Sequence, residues 1–217
     1  MSYVLSIICL LCQFGYLYCL YQKSFKVALA SKTLASLCFI FIACRAYLSN
    51  ESELALLIVI GMIFDGLGDV FLGIRNIAFK EKMFLYGTFS FMIGHVFYLV
   101  ALIYINRTDL LWVILAGALM TAIFFYFALR HCKLRKSQYV ILPIYALMIY
   151  SIMVYGIFIY VKSGSVNHLL FMVGTIMFAC SDTILSFYNF GKRKGWMHPV
   201  YSLLYYVGQL LIAFSLF

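Results

Sequence analysis

Three stretches of the chain place an ionisable residue inside strongly apolar sequence. They read GMIFDGLGD, GTFSFMIGH and GTIMFACSD, and they end at Asp69, His95 and Asp182. A charge at the centre of a bilayer costs at least about 2.5–3.5 kcal/mol, so such residues usually face a partner or a polar cavity and take part in function. Carboxyl and imidazole groups transfer protons and stabilise developing charge. The three positions therefore predict a shared polar site with acid–base or electrostatic chemistry.

Small residues recur at a fixed spacing in the same stretches. Each stretch begins with glycine and has a small residue seven positions later, at Gly68, Gly94 and Ser181. Seven residues make two helical turns, so the small residues share a helix face and allow close helix packing. The first stretch carries a second acid, Asp65, one turn before Asp69. Asp65 either tunes the acidity of Asp69 by like-charge proximity or only lines the cavity.

The composition shows which elements must position these residues. The chain of 217 residues is 66% hydrophobic and 11% charged, whereas a soluble domain is about 45–50% apolar. A helix that spans a membrane needs about 20 apolar residues. We therefore predict an all-α, polytopic bundle of eight transmembrane helices that forms a single domain over residues 1–217. The eight apolar runs cover residues 3–21, 28–48, 53–73, 83–104, 110–129, 139–161, 168–189 and 198–216.

The basic residues are distributed asymmetrically among the predicted loops. Loops rich in Lys and Arg stay on the cytoplasmic side, so both termini are predicted on the other side. The net charge of +9 is thus interpreted as a topology signal, and no nucleic-acid partner is expected. The first run has no basic residue before it, which favours an uncleaved span over a signal peptide. Most Lys and Arg follow runs 1, 3, 5 and 7, at Lys23, Lys26, Arg75, Lys80, Lys82, Arg130, Lys133, Arg135, Lys136, Lys192, Arg193 and Lys194.

Four motifs carry a resemblance to a known family. FDGLGDVFL, GTFSFMIGHVFYL, GTIMFACSDTILSF and YYVGQLLIAFSL resemble the YhhN family of membrane proteins, the lysoplasmalogenase family. The resemblance runs through all eight apolar runs. It implies a membrane hydrolase that cleaves the vinyl ether bond of lysoplasmalogens, which are phospholipids with a single alkenyl chain. The products would be a fatty aldehyde and a glycerophospho head group, and the substrate would be a lysophospholipid in the bilayer.

The resemblance also implies site residues. Its motifs match the third-run pair Gly68–Asp69, and where serine is expected earlier in that run the chain has Asp65 instead. Asp69 and Asp182 are assigned as the acid/base pair, and which of them is the acid stays open. Arg75 and Asn76 directly follow the first motif and are the candidates for binding lipid phosphate. The expected substrate-binding residues are Lys32, Arg75, Asn76, His95, Tyr98, Ser181, Tyr205 (or its neighbour Tyr206) and Gln209.

The implied reaction needs two groups of opposite function. Protonating the β-carbon of a vinyl ether makes an oxocarbenium ion, to which water adds. Two carboxyl groups in different environments can divide this work, as in glycoside hydrolysis, and a nearby Lys32 would keep one of them ionised. We therefore expect no cofactor and no metal, although Asp69, His95 and Asp182 are also residue types that ligate metals. The sequence has neither a G-x-S-x-G nor an H-E-x-x-H motif.

Two other classes of function fit the same residues. Intramembrane acids and histidine form proton relays, so a small proton-coupled transporter is the main alternative. A non-catalytic lipid-binding or scaffold protein is the third, and it predicts that Asp69→Asn leaves function intact. The short loops favour a bacterial inner membrane, with the endoplasmic reticulum as the alternative location.

Overall fold

A computed structural model describes residues 1–78, 81–105, 107 and 109–217. The described residues form eight α-helices and no β-strand. Seven of these helices, α1–α7, are long and apolar enough to cross a membrane. The chain is therefore an integral, multi-pass membrane protein. The helices are α1 (Ser2–Tyr21), α2 (Phe25–Asn50), α3 (Glu53–Ala78), α4 (Glu81–Ile105), α5 (Leu110–His131), α6 (Gln138–Ser163), α7 (Val166–Phe190) and α8 (Met197–Phe214).

The helices extend a few residues beyond the predicted apolar runs. Helix α4, for example, begins at Glu81 rather than at residue 83. An acidic residue in the first turn is favourable there because the helix N-terminus is electropositive. Such polar ends carry no hydropathy signal, which is why apolar runs underestimate helix length.

Helix α8 differs from the other seven. It has only 18 residues, and it is not among the helices apolar enough to span a membrane. His198, Pro199 and Gln209 lower its mean hydropathy. The all-helical fold and seven of the eight predicted spans are thus confirmed. The eighth span and the side on which the termini lie stay predictions.

The chain divides into two compact units. Unit 1 comprises Met1–Ala101 with Leu216–Phe217, and unit 2 comprises Leu102–Ser215. The expectation of a single domain stays a prediction. Each unit contains one of the two aspartates assigned above, Asp69 in unit 1 and Asp182 in unit 2.

Glycines set the contact between α3 and α4 within unit 1. A Cβ atom added to Gly94 would lie 2.8 Å from the carbonyl oxygen of Gly61, and one added to Gly87 would lie 3.2 Å from the carbonyl oxygen of Gly68. The first glycine of each stretch thus meets the second small residue of the other, in antiparallel register. This confirms the packing interpretation of these four glycines, since their backbones approach where no side chain intervenes.

Unit 2 uses the same device between α7 and α8. A Cβ on Gly174 would lie 2.9 Å from the carbonyl oxygen of Gly208. Helix α6 packs against both α5 and α7, which touch each other at few points. At one end of the unit, the backbone N–H of Lys133 donates to the carbonyl of Phe190 at 2.7 Å. This hydrogen bond joins the α5–α6 loop to the end of α7.

Candidate functional site

Asp69 lies at the centre of a buried polar cluster in unit 1. Its Oδ1 is 3.0 Å from Nζ of Lys32, and the hydroxyl of Ser36 donates to its Oδ2 at 2.6 Å. Lys32 and Ser36 stand one turn apart on α2, so both reach the same carboxylate on α3. Asp69 is only 2% exposed and Lys32 only 8%. Two charges so far from water are expensive to bury, and their direct pairing with a third hydrogen-bonding group offsets part of that cost.

Helix α1 covers this cluster. Cys9, Gln13 and Tyr16 lie on one face of the helix, and all three are buried. The ammonium of Lys32 lies 5.7 Å from the ring centroid of Tyr16, a distance at which a cation and an aromatic ring attract each other. The aromatic ring of Tyr16 therefore lies beside the Asp69 cluster.

A second carboxylate, Asp65, lies against α4 in the same unit. It is fully buried, and the hydroxyl of Tyr98 donates to its Oδ2 at 2.7 Å. Gly94 makes room for it, because a Cβ there would lie 2.8 Å from Oδ1 of Asp65. His95 is also buried, and its ring packs edge-on near Tyr98 with 6.2 Å between centroids. The Tyr98 hydroxyl, assigned from the resemblance to bind substrate, is thus engaged by Asp65.

Asp182 in unit 2 has a neutral partner. The hydroxyl of Tyr145 on α6 donates to its Oδ2 at 2.5 Å. One residue further along α7, the hydroxyl of Thr183 donates to the carbonyl of Ala179 at 2.7 Å and lies 2.9 Å from that of Tyr150. Asp182 lines a narrow crevice of about 10 Å³, which is about the space that one water molecule needs. The site combines a buried carboxyl group, two phenols and room for a water molecule.

Three further predicted residues of unit 2 lie where α7 meets α8. The Ser181 hydroxyl donates to the carbonyl oxygen of Tyr201 at 2.8 Å, which holds the two helices together. The Tyr205 ring packs 5.6 Å from that of Phe178, and Gln209 is fully buried. Their positions fit helix packing, and their assignment to substrate stays a prediction.

The predicted phosphate-binding pair is described only in part. Arg75 pairs with Glu81 at 3.1 Å, and its guanidinium lies 4.8 Å from the ring centroid of Phe84. The side chain of Asn76 lies outside the described residues, as does Lys80. Arg75 is therefore already engaged by a carboxylate on the next helix.

Two residues that contact the aspartates were not found from the sequence. The sequence pattern only weakly indicated Ser36 as a site residue, because it lies one turn from Lys32 on the same helix face. The pattern did not indicate Tyr145, because the tyrosines at 145, 150 and 155 recur at five residues and so mark no single helix face. Over the part of the chain that the structure describes, no three or more His, Cys, Asp or Glu side chains come together as a ligand set for a metal ion.

The fold and the buried acids together define a polytopic helical membrane protein with intramembrane carboxyl groups. The model of the YhhN family matches residues 27–216, nearly the whole chain, and the protein belongs to that family. The match includes every predicted site residue from Lys32 to Gln209 and confirms the resemblance drawn from the four motifs. No curated protein and no solved structure is significantly similar to the chain.

Proposed function

We propose that the protein is a membrane hydrolase that cleaves the vinyl ether bond of lysoplasmalogens. The products are a fatty aldehyde and a glycerophosphocholine or glycerophosphoethanolamine. The observation that carries the proposal is the contrast between the two buried carboxyl groups, because Asp69 pairs with an ammonium and Asp182 with a phenol. Membership of the YhhN family supports the same conclusion.

The reaction consumes one water molecule and returns the catalytic proton. An acid protonates the alkenyl β-carbon, and the C=C electron pair forms the new C–H bond. The resulting oxocarbenium ion takes up water at its α-carbon, and the water loses a proton. The hemiacetal then collapses to the aldehyde, and its glycerol oxygen leaves as an alcohol. One group must therefore donate a proton to carbon, and one negative group must stabilise the cation.

Asp182 is assigned as the proton donor. Its partner Tyr145 is a neutral hydroxyl that donates to Oδ2, and the proposal assigns the transferred proton to this carboxyl group. General acid catalysis of this kind contributes about 10²- to 10⁴-fold to the rate.

Asp69 is assigned as the negative group. Lys32 and Ser36 contact one carboxylate oxygen each and hold it as the anion of an ion pair. A fixed carboxylate stabilises a developing cation more strongly in a buried site than in water. The attacking water gives its proton to the Asp182 carboxylate, which restores the acid. That both aspartates act on one substrate is the prediction made from the sequence, and the two Asn variants test it.

The test is aldehyde release from a purified choline or ethanolamine lysoplasmalogen in detergent. Wild type, Asp69→Asn and Asp182→Asn are compared with Asp109→Asn, a matched acid-to-amide change at a residue that pairs with Lys162 outside both clusters. We expect release by wild type and Asp109→Asn, and loss of at least about 10²-fold in the other two. A chelator is expected to have no effect.

No release by folded wild type would contradict the proposed function. Movement of a solute across vesicle membranes without chemical change would then favour a proton-coupled carrier. Full activity of Asp69→Asn or Asp182→Asn would contradict the two-carboxylate mechanism alone.

A further inference from the structure

An apolar groove adjoins the Asp182 crevice within unit 2. The groove has a volume of about 250 Å³, somewhat less than the about 300–1,000 Å³ of pockets that enclose a whole ligand. Phe124, Tyr150 and Thr183 line both spaces, so the groove and the crevice are neighbours on either side of these side chains. The other residues that line the groove are all apolar, namely Met120, Ile123, Phe127 and Phe187.

The groove opens on the outer surface of the unit between α5 and α7. Ile123 is 52% exposed and Phe127 is 48% exposed. Both lie in a membrane-spanning helix, so their exposed surface faces lipid chains. The floor is Tyr150 of α6, which is buried. The groove therefore offers a hydrocarbon chain a lateral opening from the bilayer beside the Asp182 crevice.

A basic cluster lies at the end of the same helices. Asp182 is the only acidic residue in positions 110–217, so this stretch of the chain offers no other carboxylate to neutralise the cluster. The hydrogen bond from Lys133 to Phe190 holds its two loops together. The charges complement a phosphate group. The cluster comprises Arg130, Lys133, Arg135, Lys136, Lys192, Arg193 and Lys194.

The distance from the crevice to the cluster suits a lipid head group. Asp182 lies eight residues before Phe190, which is about 12 Å along a helix axis. Lysine and arginine side chains extend back along apolar surface while keeping their charge in water. A glycerol unit therefore bridges the remaining interval between a bond near Asp182 and a phosphate at the loops.

We propose that the groove binds part of the single hydrocarbon chain of a lysophospholipid, which arrives laterally from the bilayer between α5 and α7. The basic cluster binds its phosphate. The lipid class rests on the proposed function. The groove, its occupant and its phosphate contact are all assigned to unit 2.

The first test reads binding without turnover. A lysophospholipid with a diazirine on the part of its saturated chain nearest the glycerol is photo-crosslinked to the protein in nanodiscs, and the adducts are mapped by mass spectrometry. We expect adducts at Met120, Ile123 and Phe127. Ile123→Trp fills the groove and is expected to lower the adduct yield about tenfold, equivalent to 1.4 kcal/mol of binding free energy.

The matched control is Leu129→Trp. Leu129 lies on the same helix and is 48% exposed, but it does not line the groove. We expect this variant to label like wild type. Two results would contradict the groove as the binding site. One is adducts spread evenly over the lipid-facing surface, and the other is equal labelling of Ile123→Trp and wild type.

The second test isolates the phosphate. A triple variant, Lys192→Gln with Arg193→Gln and Lys194→Gln, is labelled with the phospholipid probe and with an uncharged glycerol ether of the same chain. We expect weaker labelling by the phospholipid alone. Equal loss or no loss with the two probes would overturn the phosphate contact. If that variant does not insert, Lys133→Gln with Arg135→Gln and Lys136→Gln tests the other loop.

The two proposals fail in different ways. Specific labelling of the groove without any aldehyde release keeps the binding site and overturns the hydrolase. If Ile123→Trp releases aldehyde as fast as wild type and the groove is not labelled, the hydrolase proposal stands. The groove is then not the binding site of the chain.

Discussion

Tyr145 and Asp182 are joined across α6 and α7 by a hydrogen bond of 2.5 Å, in which the phenol is the donor. The bond fixes the orientation of a carboxyl group that lines a crevice. Pro143 precedes Tyr145 by two residues within α6, and its missing N–H removes one backbone hydrogen bond near the start of the helix. The side-chain bond to α7 thus holds a segment whose backbone is less tightly bonded.

Tyr145→Phe is expected to lower kcat for aldehyde release by about 10- to 100-fold, because it removes the donor that orients Asp182. The solvent deuterium isotope effect on kcat is expected to rise as proton transfer to carbon becomes more fully rate-limiting. Tyr139→Phe is the control, since Tyr139 lies on the same helix and is 50% exposed. If the activity of Tyr145→Phe falls only in proportion to its amount of folded protein, the tyrosine contributes to stability and not to catalysis.

Lys32→Met is expected to destabilise unit 1 by about 3–5 kcal/mol, because it leaves the buried Asp69 carboxylate without its ion partner. Thermal unfolding in detergent measures the effect as a lower Tm. The double variant Lys32→Met with Asp69→Leu is expected to recover most of the loss, since no uncompensated charge remains.

Ser36→Ala provides a smaller reference value for the loss of stability expected in Lys32→Met. It removes one hydrogen bond to Asp69 and is expected to cost about 1.5–3 kcal/mol, the usual range for a bond to a charged group. If Lys32→Met unfolded at the wild-type temperature, the ion pair would contribute nothing to folding.

Gly94→Ala is expected to destabilise the protein by about 1–3 kcal/mol. The new Cβ would lie 2.8 Å from both the Gly61 carbonyl oxygen and Oδ1 of Asp65. Gly15→Ala is the matched control in α1, because its Cβ would meet only Ser31 at an ordinary distance of 3.8 Å. The control is expected to be neutral or slightly stabilising, since alanine favours helix. Equal Tm values for the two variants would refute the close contact.

The predicted topology is tested with a membrane-impermeant thiol reagent on intact cells. Ser163→Cys is expected to react from outside, and Ser137→Cys only after the cells are opened. Burial raises the pKa of the native Cys132 thiol, so less of it is thiolate near neutral pH and its background labelling is slow. Labelling of Ser137→Cys in intact cells would reverse the assigned orientation.

The fold was largely predictable because hydropathy reports directly on membrane-spanning helices. The apolar runs identified α1–α7, and the seven-residue spacing of small residues predicted close helix packing without naming which helices meet. Helix α8 shows where the signal weakens, since its polar side chains serve contacts within the protein. Gln209 is one example, being fully buried on that helix.

The site was predictable one residue at a time but not in its pairings. The free-energy cost of placing an ionisable residue in the membrane draws attention to Asp69 and Asp182, because few other acids lie in apolar sequence. It does not show that Ser36 bonds one of them and Tyr145 the other, since serine and tyrosine are common in such helices. Tyr98 is the clearest case, because its partner Asp65 stands where serine was expected.

The bare contact between Gly61 and Gly94 restricts how unit 1 can move. Helices separated by side chains shift against each other by changing rotamers, whereas a carbonyl lying against a Cα leaves nothing to rotate. Helices α3 and α4 therefore move as one rigid pair that carries Asp65 and Tyr98 with it. Any widening around Asp69 must therefore come from α1 or α2. Lys32 of α2 reaches the carboxylate through four rotatable methylenes and can stay bonded to it as the helices separate.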